Sequence, residues 1–200
     1  MGFSVIFPAT YDITVLQDAT WRGVFRATEN RKTITSVDVD AGAATFNLNC
    51  HGLSADDRVV FTGDGSLPCG LNFNTVYYVI SANLTTDSFE VSATIGGASV
   101  TVSGSASGDV YVANPINITS YTVDADIAIS ETFTIATSFV PVLTDPVNGE
   151  FSLELGTATT ISLDPGRNNY VWDLSLTSPG GDRYYWLTGA VTVQRTYSRV

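Results

Sequence analysis

Positive charge is scarce in this chain. Lys32 is the only lysine, Lys and Arg together number 9 against 20 Asp and Glu, and the net charge is −11. Nucleic-acid recognition needs clustered cations set against phosphate. The arginines here are dispersed, apart from Arg22, Arg26 and Arg31, which are near one another in sequence. Alternation puts Arg22 and Arg26 on one face of a strand, which reads as a solvated face rather than a phosphate track. Histidine is scarcer still. With His51 alone, a paired-histidine metal site is excluded and a Ser-His-Asp triad has at most one base available. Cys50 and Cys69 are two thiols in a chain too large to need a staple. Their spacing could permit a bridge across adjacent strands but fits no zinc pattern, and two buried or half-buried thiols are expected. No apolar run approaches the ~18 residues of a membrane-crossing helix. The opening MGFSVIFPAT lacks the basic start and long apolar stretch of a signal peptide. No long amphipathic helix can be drawn anywhere.

What the chain does have is apolar content, 44%, with only 14% charge. Ser, Thr, Asn and Gly supply most of the polar surface, which suits large contact surfaces. Period-two alternation bounded by Gly, Pro, Asn and Asp predicts short strands throughout. Ile13, Val15 and Trp21–Ala27 supply the first of them. Ile34–Val39 and Ala44–Leu48 predict a hairpin around Asp40-Ala41-Gly42. Arg58–Phe61, Val76–Ser81, Ser88–Ser92 and Val100–Val102 follow, and Val110–Ala113 leads onward. Then come Tyr121–Ala128, Thr132–Ala136, Gly149–Leu155, Asn169–Thr177 and Tyr184–Val193. The last two form the strongest hairpin signal, turning at Pro179-Gly180-Gly181-Asp182. Within it Tyr170, Trp172, Leu174 and Leu176 share the expected core face, and Val171, Asp173, Ser175 and Thr177 the other. Only Thr157–Leu163 reads as a helical turn.

Residues 11–30 find their natural continuation only near residue 115, and a Gly-rich β segment lies between. The expected fold is therefore all-β, with two sandwich- or barrel-like modules, the second inserted into a hairpin of the first. The expected division is 1–33 with 114–200 for the outer domain and 34–113 for the insert.

Three sequence signatures carry a resemblance. They are Gln17-Asp18-Ala19-Thr20-Trp21, then Pro115-Ile116-Asn117-Ile118-Thr119-Ser120-Tyr121, then Pro165-Gly166 with Tyr170-Val171-Trp172-Asp173-Leu174 and a closing Leu187-Thr188-Gly189-Ala190-Val191-Thr192-Val193. Together they resemble an immunoglobulin-like sandwich found among structural proteins of tailed bacteriophages and prophages, with Asp18 and Ser120 standing where that pattern has glycine. His51-Gly52-Leu53, Asp57-Arg58-Val59-Val60-Phe61 and Tyr77-Tyr78-Val79-Ile80 resemble a second phage β module. The resemblance implies a passive virion component of tail, baseplate, neck or capsid surface. Its implied partners are other virion proteins and copies of itself, without nucleic acid or membrane insertion. No catalytic residue, metal or cofactor comes with it.

Against that background each chemically suggestive residue has a plain structural reading. Neighbours on a strand point to opposite faces, so Cys50 and His51 are not expected to act as a nucleophile–base pair. Asp56, Asp57 and Asp64 could offer oxygen to Ca²⁺, but their spacing matches no EF-hand loop, and solvated turn residues are expected. Alternation puts Asp124 and Asp126 on one outward face with Glu131 nearby, while Val123, Ala125 and Ile127 face the core. Tyr184, Tyr185 and Trp186 could stack on sugar rings, which makes a glycan- or receptor-binding module of a fibre or capsid decoration the alternative function. A polysaccharide hydrolase ranks third. Phe3, Val5, Ile6 and Phe7 form an apolar segment expected to act as a contact arm, able to add as a strand to a neighbour's edge.

Overall fold

The computed structural model describes residues 9–196. These are almost entirely β-strand and connecting turn, with one 3-10 turn at Pro146–Asn148 and a single-turn helix α1 (Thr157–Thr160). The all-β, sandwich-like class is what the alternation demanded. The chain divides into two compact units. One comprises the described residues up to Phe25 and those from Ile118 onward, and the other is Arg26–Asn117. Trp21 and Trp172 therefore share a unit, although the whole of the other unit lies between them in sequence.

Strands β1 (Ala9–Thr10), β2 (Ile13–Leu16) and β3 (Trp21–Arg26) lead into the inner unit. Its strands are β4 (Thr28–Thr33), β5 (Ser36–Asp40), β6 (Ala43–Asn47), β7 (Arg58–Gly63), β8 (Val76–Val79), β9 (Ser88–Phe89), β10 (Val91–Ser92) and β11 (Val110–Pro115). The chain returns as β12 (Thr122–Ile129), β13 (Thr134–Ser138), β14 (Val140–Asp145), β15 (Glu150–Leu155), β16 (Tyr170–Thr177) and β17 (Arg183–Gln194).

The outer unit has a large sheet ordered β1-β17-β16-β12-β13, with β2 also on β17, and a small one ordered β14-β15-β3. The expected core face of β16 is buried as alternation required, with Trp172, Leu174 and Leu176 each 1% exposed and Tyr170 6%. Val123, Ala125 and Ile127 are buried beside them. Trp172 is the hub. Its ring meets Phe139, Phe25 and Tyr11 at centroid distances of 5.7, 6.0 and 6.4 Å. Its indole N–H donates to the Tyr11 carbonyl at 2.7 Å, giving the one polar atom of a buried indole a partner. The same carbonyl explains Gly189. A Cβ there would lie 2.1 Å from Tyr11 O, so only glycine lets β17 pass this close to the bend between β1 and β2.

Strand β14 is absent from the sequence expectations. Pro141 interrupts its alternation and donates no N–H, which normally argues against a strand. It is tolerated because β14 is an edge strand, paired only with β15 among the described residues. β13 and β14 are one run of chain that changes sheet at Phe139, whose N–H donates to the Ala125 carbonyl at 2.9 Å.

The inner unit has a sheet ordered β10-β8-β7-β11-β4 and another ordered β5-β6-β9. Its core centres on Phe46, stacked on Phe61 at 4.3 Å and Phe89 at 5.4 Å. The β5–β6 turn has positive φ at Ala41 (48°) and Gly42 (84°), the primed geometry that suits strand twist. Two expectations need correction. Val100–Val102 is not a regular strand; Val100 N–H donates to Val91 O at 2.9 Å and Val102 N–H to Gly42 O at 2.7 Å instead. The borders at 33/34 and 113/114 also fall too far in. β4 runs antiparallel to β11 from Tyr111↔Thr33 to Pro115↔Thr28, and Ile116 N–H donates to Ala27 O at 3.0 Å. That ladder carries the inner unit out to Arg26 and Asn117. The sequence Thr-Glu-Asn-Arg-Lys-Thr has no apolar alternation, so only its partner reveals it as a strand.

Candidate interaction surfaces

The residues suspected of chemistry in the inner unit hold turns together. His51 is buried. Its Nδ1 accepts the Leu53 N–H at 2.9 Å, and Nε2 lies 3.3 Å from the Ser88 carbonyl. These partners assign the neutral ring with the proton on Nε2. Cys50 has φ of 49°, so a turn does separate it from His51. Its thiol is free and exposed, as is that of Cys69, which corrects the expectation that both would be buried or half-buried: each sits in a surface loop rather than on a core-facing strand. Lys32 reaches from β4 to donate to the carbonyls of His51 at 2.7 Å and Cys50 at 3.4 Å. Asp57 accepts the Ser54 N–H at 2.8 Å and Asp64 the Asp109 N–H at 3.2 Å. Among the described residues, no three of His, Cys, Asp and Glu form a cluster that could hold a metal ion. The arginine trio disperses: Arg22 donates to Ser152 Oγ at 3.5 Å, Arg26 to the Asn74 carbonyl at 3.5 Å, and Arg31 covers the Tyr111 ring at 3.8 Å.

The outer unit presents two surfaces. The first is the outward face of the large sheet. Register places Asp126 opposite Asp173 and Asp124 opposite Ser175 on β12 and β16, and on β17 Thr188 faces Asp173 while Tyr185 faces Ser175. Sequence alternation puts the aspartates on outward faces, but not in this cross-strand pair. Burial raises the Asp173 carboxyl above the usual carboxylate range, the Asp126 charge adds to this, and Arg183 opposes it. Arg183 Nε donates to Ser175 Oγ at 2.8 Å and its guanidinium lies 5.2 Å from the Tyr185 ring. Tyr185 is exposed on this face, Tyr184 is exposed on the other face opposite Leu176, and Trp186 is half-buried, whereas Tyr170 and Trp172 belong to the core. Glu131 is elsewhere; it accepts from Asn169 Nδ2 beside the Asp164–Asn169 loop.

The second surface is the margin built by β13 and β14, which sequence reasoning missed. Phe133 is 85% exposed, Ile135 58%, Val140 61% and Val142 50%. No charged residue occurs from Thr132 to Thr144. β13 pairs with β12 alone among the described residues. Natural edge strands are usually blunted by charge, proline or a covering element. Pro141 does this for β14; β13 has neither charge nor proline, only a register shift against β12 at Ile127 and Ala128. The readable signal was the uncharged stretch itself.

Phe3, Val5, Ile6 and Phe7, the expected arm, lie outside the described residues. No family model matches the chain, and no curated protein matches it at a significant level.

Proposed function

We propose that this chain is a non-enzymatic structural component of a tailed-phage virion, at the tail, baseplate, neck or capsid surface. It acts through sheet edges and loops against neighbouring subunits. The observation that carries this reading is the uncovered apolar margin of the outer unit, from Phe133 through Val142. A lone apolar side chain on a surface needs no explanation, but an uncharged open edge strand invites pairing with another chain. The motif order described above supplies the virion context. Mass spectrometry of purified particles, followed by fitting the chain into a cryo-EM reconstruction, tests it. Recovery at stoichiometric copy number supports the reading, and absence from particles defeats it.

The second reading is a glycan- or receptor-binding module. It is favoured by exposed Tyr185 with the Arg183 guanidinium beside its ring, an aromatic group with polar neighbours on the outward face of the large sheet. Saturable binding on a glycan array, lost in Tyr185→Ala, would establish it.

A further inference from the structure

We infer that the open edge of β13 receives residues 1–8 of a second copy of this chain, so that copies join head to tail. The inference rests on the virion reading above and names the contact it leaves open. Two observations lead to it. First, β1 and β13 are the opposite margins of one sheet, ordered β1-β17-β16-β12-β13. Ala9, where the described residues begin, therefore lies at one margin while the uncharged edge of β13 lies at the other. Second, the segment before Ala9 has the chemistry of an incoming strand. Met1–Tyr11 contains no charged residue, and Phe3, Val5 and Phe7 alternate with Ser4 and Ile6. Apolar side chains at alternate positions would lie against Ile135, the kind of cross-strand pairing that stabilises added strands, with exposed Phe133 in the turn just before it. In a chain of net charge −11, an uncharged strip on each side also brings copies together where their mutual repulsion is least.

A donor at one margin and an acceptor at the other make a heterologous contact, which closes into a ring or propagates as a helix.

Sedimentation velocity over a concentration series tests this. The full chain should form species larger than a dimer. Removal of residues 1–8 and, separately, Ile135→Lys should each leave monomers, the first lacking a donor and the second lacking an acceptor. Mixing these two variants should restore a one-to-one dimer and nothing larger, because only one junction can form. Thr134→Lys, at another exposed position of β13, repeats the acceptor test should Ile135→Lys unfold. A full chain that stays monomeric, variants that associate like the parent, or a mixture that gives no dimer would each overturn the inference. The last result is also expected if residues 1–8 merely extend β1 along Arg183–Trp186 of their own copy. A chain present in particles but incapable of this exchange sinks the inference alone. A chain that exchanges strands but is missing from particles sinks only the virion reading.

Discussion

The two units solve the same packing problem with opposite treatment of their surfaces. In the inner unit Phe46, Phe61 and Phe89 stack at the centre, and only Val39 and Ile95 of its large hydrophobic side chains stand exposed. In the outer unit Trp172 anchors an equally closed core, yet Tyr11, Leu16, Val24, Phe133, Ile135, Val140, Val142, Tyr184 and Tyr185 are all exposed. Core quality does not explain the contrast, since both interiors are built on aromatic clusters. What differs is what is left outside. The inner unit is finished as a fold, and its histidine, lysine and turn aspartates are spent on its own loops. The outer unit leaves apolar surface exposed, which is why the proposed contact function is placed there.

The comparison can be broken most directly at the two hubs. Trp172→Ala should cost the outer unit about 3–5 kcal/mol, and Phe61→Ala the inner unit a similar ~3–5 kcal/mol. Scanning calorimetry should show each substitution lowering one transition and leaving the other in place. A single transition that moves as a whole for both variants would mean that the units do not unfold separately. Gly189→Ala should cost about 1–3 kcal/mol through forced backbone movement, again in the outer transition only, because the added carbon meets the Tyr11 carbonyl.

Lys32→Ala tests whether the inner unit's polar residues serve its own loops. Loss of a charged donor to the His51 carbonyl should cost about 1–3 kcal/mol and speed amide exchange around residues 50–54, with no change in self-association. Asp173→Asn sharpens the contrast from the other side. Because the folded unit holds the Asp173 proton more tightly than the unfolded chain, the stability this group contributes is present at acid pH. It is lost as pH rises through the folded-state value. Asparagine cannot ionise, so the variant should be slightly more stable than the parent at pH 7, with the gap closing towards pH 4 in urea titrations. Smallest of all, Tyr185→Ala should change stability by less than ~0.5 kcal/mol, and any effect it has should appear in ligand binding.

Strand alternation made the all-β class and the β16–β17 hairpin legible before any coordinates. Tyr170, Trp172, Leu174 and Leu176 alternate with polar residues because one face of that strand is buried and the other is not, and period two records this directly. The single-turn helix at Thr157–Thr160 was legible too, ahead of Asp164-Pro165-Gly166. β4 and β14 were not. Thr28–Thr33 is polar on both faces and is a strand only because β11 offers it a ladder. Val140–Asp145 contains Pro141, and its assignment depends on lying at an edge where no N–H is needed. The margin of β13 and β14 was hidden for the same reason, since exposure belongs to a partnership that the linear chain does not display.

Composition and periodicity by themselves determined the all-β class of this protein and its aromatic cores. These follow from which side chains water rejects and at what spacing they recur. Which strands stand at the margins was decided only by the tertiary structure, as were the pairing of Asp126 with Asp173, the need for glycine at 189 and the outer limits of the inner unit. Each of these depends on hydrogen bonds and close approaches between residues far apart in sequence, and no local pattern encodes them.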